Sequence, residues 1–173
     1  MSHSADLVRD LVRDNVRVLA QLRATLDRLP DAAYADAAPE LGLASIGSHV
    51  RHVIDFYACF TTQLASGSVD YDLRARDARL ECDSRAAVDA CSRAEELLRT
   101  CEADGVLDVR MEGGPWTRSS RARELAALCS HAVHHFALIA VLLRRAGESV
   151  DADFGVAPST LRYWEASGGA PRR

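Results

Sequence analysis

"CSHAVHHFALIA", Cys129–Ala140, carries three histidines within five residues of an otherwise apolar run. On a helical wheel at about 100° per residue, Leu125, Leu128, Ala132, Phe136, Ile139 and Leu143 form one stripe. The segment therefore reads as a long helix with one buried face. His135 falls within the stripe and His131 on its edge, one turn away, while His134 points further round, toward another helix or solvent. His131 and His135 are thus an i,i+4 pair whose imidazoles can converge on one point, as two helical histidines do when they hold a metal. The plainer reading of a histidine on an apolar face is a hydrogen-bonded core residue. Burying two imidazoles costs on the order of a few kcal/mol unless their polar atoms find partners. A metal would satisfy one nitrogen on each.

Three further amphipathic segments surround this one. The first spans about Ala5 to Leu29, with Leu7, Leu11, Val18, Leu22, Leu26 and Leu29 inward, and is stopped by Pro30. "DAAYADAAPELGLA" then forms a polar link. The second helix starts at Ser45, a good N-cap, and ends before Gly67; its stripe is Ile46, Val50, Val53, Tyr57, Phe60 and Leu64. "SVDYDLRARDARLECD" is charged and aperiodic, and is expected to be a long surface connection. The third helix spans about Ser84 to Ala103, with Ala87, Cys91, Ala94, Leu97 and Leu98 inward.

Alternation in "VLDVRM" and the Gly113–Gly114 turn predict a short hairpin or an extended loop. Ser119 or Ser120 caps the fourth helix, which reaches about Ala146. The tail holds apolar anchors at Phe154, Val156, Leu161, Tyr163 and Trp164 and is expected to pack on the helices, with disorder from about residue 166. The pattern predicts an all-α fold: one domain over residues 1–173, a four-helix bundle with long connections after the second and third helices.

The totals narrow the function. A chain of 173 residues is long enough to bury a core, and 48% apolar residues is usual for a soluble protein. A net charge of −4 gives no support to a nucleic-acid partner. The charged opening "MSHSADLVRDLVRD" holds no secretory h-region, and the sequence reads as lacking a stretch of about 18 apolar residues, so neither export nor a membrane span is expected. The five cysteines form no CxxC and read as free, mostly buried thiols in a reducing cytoplasm. All 21 basic residues are arginine, which excludes Schiff-base lysine chemistry and a P-loop lysine.

A partner for the histidine pair lies in "SIGSHVRHVIDF", Ser45–Phe56. Periodicity slightly favours His49 over His52 as a third ligand without settling the choice. Asp55, three residues after His52, and Glu124, two turns before His131, are the candidate catalytic carboxylates; either could orient a histidine or accept a proton. For each, the plainer reading is a solvated helix residue, and Glu124 also suits the first turn of its helix by charge alone. Other templates fail. Ala132 follows His131, so HExxH is absent, and no Glu-x-x-His pair supports a di-iron site.

"SIGSHVRHVIDFY" and "SHAVHHFALI", in this order within four helices, resemble the DinB-like (YfiT-like) superfamily of metalloenzymes over nearly the whole chain. The resemblance implies a three-histidine metal site. Its first ligand, the histidine before a hydrophobic-hydrophobic-acidic triplet, matches His52 in "HVID", and the others match His131 and His135. His49 then becomes a neighbour. The same ligand set occurs in bacillithiol S-transferases, mycothiol-dependent maleylpyruvate isomerase and the bundle domain of ergothioneine sulfoxide synthases. The resemblance thus implies a divalent ion (zinc, nickel or iron), a small-molecule substrate and a low-molecular-weight thiol cosubstrate. Arg51, Arg74 or Arg123 is a candidate for binding an anionic substrate, and the tail around Phe154 and Trp164 for covering the mouth of the site. A metal-water hydrolase and a non-catalytic binding bundle are the alternatives. A homodimer is also compatible with the fold, since bundles pair by exposed helix faces.

Overall fold

The computed structural model describes residues 2–169. Of the expected disordered tail, residues 170–173 lie outside the described residues. Four long helices dominate: α1 (Ser2–Leu26), α3 (Ile46–Gln63), α4 (Ser84–Leu98) and α5 (Arg121–Arg145); α2 (Asp31–Ala35) and α6 (Pro158–Ala166) are shorter. Helices α1 and α3 each pack against both α4 and α5, so four apolar stripes meet in one core. Leu19 and Leu22 of α1, Val53 and Phe60 of α3, Cys91 and Leu98 of α4, and Leu125 and Phe136 of α5 are all buried there.

Local chemistry sets the helix ends. The Ser45 hydroxyl accepts the Ser48 N–H at 3.1 Å, the Asp83 carboxylate accepts that of Ala86 at 2.8 Å, and the Ser120 hydroxyl accepts that of Arg123 at 3.2 Å. Each satisfies a donor that the first helical turn leaves free. Two helices are shorter than their periodicity predicts. α1 stops at Leu26, not Leu29, because residues approaching Pro30 are driven off helical geometry. α4 stops at Leu98, not Ala103; Thr100 and Cys101 donate to the carbonyls of Leu97 and Leu98, a tightened turn that tucks Cys101 into the core. Leu7 and Leu97, expected inward, are exposed, and Val8 is buried instead.

A small sheet corrects the all-α expectation. Strands β2 (Val106–Arg110) and β3 (Thr117–Ser120) form the predicted antiparallel hairpin, and β1 (Ser68–Asp70) adds in parallel on β2, with Val69 opposite Val109. The segment 68–83 is therefore not a mere surface connection. Val69, Tyr71 and Leu80 are buried, and much of its charge is used internally. Asp70 caps the Tyr71–Leu73 turn and pairs with Arg110. The Asp72 carboxylate accepts the N–H groups of Glu112 at 2.8 Å and Gly113 at 2.9 Å, tying the link to the hairpin turn.

By length and composition α5 is the single described helix apolar enough to cross a membrane. Its buried face packs on α1 and α3. The four cysteines Cys59, Cys91, Cys101 and Cys129 are buried thiols, and Cys82 is exposed. The tail runs along α1: Arg162 pairs with Asp14 at 2.9 Å, Gln21 donates to the Asp153 carboxylate at 3.0 Å, and Phe154 stacks on Phe136 of α5 at 4.8 Å.

The turn Ala78–Glu81 is clamped on the start of α3. Tyr34 donates to the Leu80 carbonyl, and Arg51 pairs with Glu81 at 3.0 Å. The close approach needs Gly47, where an added Cβ would lie 2.0 Å from the Glu81 carbonyl oxygen. Gly→Ala inside a helix ordinarily stabilises by about 0.5–1 kcal/mol. Here the backbone clash reverses the sign, so Gly47→Ala should destabilise by about 1–3 kcal/mol, as overpacking does. Urea unfolding followed by circular dichroism checks this; an unchanged or raised midpoint would refute the clamp.

Candidate metal centre

Helix α3 carries His49 and His52, and α5 carries His131 and His135. Because Ser45 starts α3, His49 and His52 fall in its first two turns, on the side facing α5. The imidazoles of His52, His131 and His135 come together: one ligand nitrogen from each lies within 4.8 Å of the other two. Ring centroids are 5.0 Å apart for His52–His131, 4.7 Å for His52–His135 and 4.6 Å for His131–His135. His49 stands beside the group, with its Nδ1 3.1 Å from His135 Nδ1. His134 is exposed and meets only the edge of the His135 ring.

The donor set suits a divalent ion. His131 Nε2 is buried and has no hydrogen-bond partner, the orphan state that a metal ligand shows without its ion. One nitrogen of His135 is engaged by His49, which leaves the other for coordination. Burial, then mutual repulsion and the nearby Arg74 and Arg51 guanidinium groups, push His52 down to about 4. Burial and the surrounding imidazoles push His135 down to about 3. His49 and His131 are lowered too, chiefly by burial. At neutral pH all four are uncharged, the form that offers a lone pair to a cation. Three neutral nitrogen ligands leave a tetrahedral ion an open position.

A cavity of about 340 Å³ adjoins the group, with His52 and His131 in its wall together with Phe56, Tyr71, Arg74 and Glu124. Met111 and Glu112, at the end of β2 and the hairpin turn, border its rim. Phe56 packs on both histidines, its ring centroid 5.0 Å from that of His52 and 4.5 Å from that of His131. Glu124 is 4% exposed, accepting from Tyr71 Oη at 3.0 Å and from Ser119 Oγ at 2.6 Å.

The structure sorts the remaining candidates. Glu124 lies at the cavity and Asp55 does not. Asp55 is buried in a separate hollow lined by Ala58, Ala90 and Leu97, and desolvation raises its pKa. On α3 it sits about 60° round the helix from His52, on the side where α4 packs, as its neighbours Ala90, Ala94 and Leu97 show. Arg51 is paired with Glu81, and Arg123 is exposed beside Glu124; Arg74 alone of the three lines the cavity. Phe154 and Trp164 do not cover the mouth, because the tail is held on α1 and the hairpin turn takes that position. Sequence reasoning missed Tyr71. Its segment lacks periodicity, and an aromatic flanked by aspartates in a link was the one available signal.

The pattern that defines the DinB family matches residues 1–162. The chain belongs to the DinB family. No curated protein and no solved structure matches it. Family and geometry agree: three histidines on two packed helices are close enough to bind one divalent metal ion.

The lowered imidazole pKa values set a pH dependence. In the unfolded chain these groups take up protons near their ordinary 6.5; folded, His52 and His135 resist until about 4 and about 3. Between those limits the unfolded state binds more protons, so folding stability falls as pH falls. Metal-free protein should lose thermal stability from pH 7 to pH 4, and His135→Gln should lose less over the same range. Parallel melting-temperature profiles for the two proteins would contradict the neutral cluster.

Proposed function

We propose that the chain is a metal-dependent enzyme in which His52, His131 and His135 hold one divalent ion at the wall of the cavity, and that it transfers a low-molecular-weight thiol to a small electrophile. The observation that carries this reading is the three-nitrogen cluster with a buried, unpartnered His131 Nε2 beside a cavity of substrate size. When bound, zinc, nickel or iron(II) lowers the pKa of a thiol or of water at its open positions. His49 acts as the positioning group. With the proton on His135 Nδ1 and accepted by His49, His135 Nε2 keeps its lone pair free for coordination. Phe56 shields His52 and His131 from water. Glu124, on the same cavity wall, takes up the proton that a thiol gives up through the lone pair that Tyr71 leaves free on Oε2. The same carboxylate supports a second reading, hydrolysis, with water in place of the thiol.

Untagged protein should copurify with, or take up, about one equivalent of zinc, nickel or iron, measured by plasma mass spectrometry. His135→Ala should abolish this, and His134→Ala should leave it intact. His49→Ala should keep the stoichiometry but weaken affinity by about 10–100-fold, the usual effect of losing a ligand's orienting partner. Equal loss in His134→Ala and His135→Ala would contradict the assignment. For the reaction, thiol consumption against a panel of electrophiles should depend on metal and stop with chelator; chelator-sensitive ester or amide cleavage without thiol would favour hydrolysis instead.

A further inference from the structure

We propose that Arg74 makes the cavity a receptor for small carboxylic acids with an apolar body. The inference rests on the reading of this cavity as a substrate site and names the class of substrate. Thirteen of the arginines pair with carboxylates within 4.0 Å, and Arg74 forms no such ion pair among the described residues. Its Nη1 is buried without a hydrogen-bond partner. Its guanidinium carbon lies over the Phe56 ring, 4.1 Å from the centre, a cation–π contact that uses none of its N–H donors. A half-buried guanidinium without an anion is costly, and a carboxylate is the planar, two-oxygen partner that matches it.

The carboxylates nearby do not fill that role: Asp55 feels the Arg74 charge, but it forms no ion pair with it within 4.0 Å and lines a separate hollow. Glu124 is already committed to Tyr71, Ser119 and Arg123, and Glu112 stands at the exposed rim, its backbone N–H bonded to Asp72. The rest of the wall is apolar, with Phe56, Leu128 and Met111 facing the space. An acid bound to Arg74 would therefore lay its body along these side chains, within the cavity that His52 and His131 also border.

The test uses metal-free full-length protein and two probes of the same shape, 3-phenylpropionate and 3-phenylpropionamide, with binding measured by NMR titration. The acid should bind at least about tenfold more tightly than the amide, a charge-assisted pair against a neutral one. Arg74→Gln should remove that preference, and Arg74→Lys should restore part of it. Equal binding of acid and amide, no binding of the acid, or an unchanged preference in Arg74→Gln would overturn the proposal. So would acetate binding as tightly as 3-phenylpropionate, which would reduce the site to a bare anion contact. Amide cross-peaks away from the cavity report whether each variant keeps its fold. Because no metal is present, failure here is separate from failure of the three-histidine site, which metal stoichiometry reads.

Discussion

Three imidazoles within 4.8 Å of one another, partly removed from water, are an arrangement that packing alone does not favour. Charging one costs its desolvation and charging two adds their repulsion, and a buried nitrogen without a partner forfeits on the order of 1–3 kcal/mol. The fold nevertheless brings them together by the two elements it can least alter, the apolar faces of α3 and α5. Val50 and Val53 flank the α3 histidines, and Ala132 and Phe136 flank those of α5; all four are buried to within 1%. The histidines are thus carried to the centre by the contact that holds the helices together. A shift of either helix that relieved the imidazoles would also open the core. The cost is local and the gain is distributed, which is how a functional cluster persists in a stable protein.

The same logic explains what could be read from the sequence. The stripes of α3 and α5 are legible because burial on one helical face imposes a period. The i,i+4 pair His131–His135 is legible for the same reason. The choice between His49 and His52 was not, since both lie near one stripe and only the orientation of α3 against α5 separates them. In the structure His52 enters the cluster and His49 supports it from the side, as the family resemblance implied and the wheel did not. Asp55 lies away from the cavity for the complementary reason: the wheel puts it near His52, and only the position of α4, whose Ala90, Ala94 and Leu97 share its hollow, separates the two.

The segment 68–83 shows where periodicity stops being informative. Its aspartates and arginines read as a hydrated link, yet several of them are bound to the chain itself. Asp70 and Asp72 hold turns and the hairpin, and β1 is only three residues long. A strand that short, paired in parallel with a partner 40 residues away, leaves no local signature. Tyr71 and Arg74, which shape the cavity, come from this segment. The three clustered histidines therefore lie on elements with strong sequence periods, whereas part of the cavity wall, Tyr71 and Arg74, lies on one with none. A change in the link can alter what the cavity accepts while leaving the helix contacts that align the histidines intact.

Charge balance ties the two halves together. With a divalent ion held as proposed, the cavity would contain that ion and Arg74 against Glu124 and, at the rim, Glu112. The negative groups then fall short of the positive ones, and the histidines contribute nothing because burial keeps them neutral. At an effective dielectric near 20, unit charges about 4 Å apart interact by about 4 kcal/mol, so an unmatched cation at this depth is a substantial demand on whatever binds. An anionic ligand meets it, and a neutral one leaves it unmet. In the metal-free cavity the balance on paper reverses, with Arg74 against both Glu124 and Glu112, but Glu124 is turned to its own donors and Arg74 remains unpaired. The preference for an anion is then set by the direction of hydrogen-bond donors, and ion binding would add to it without creating it.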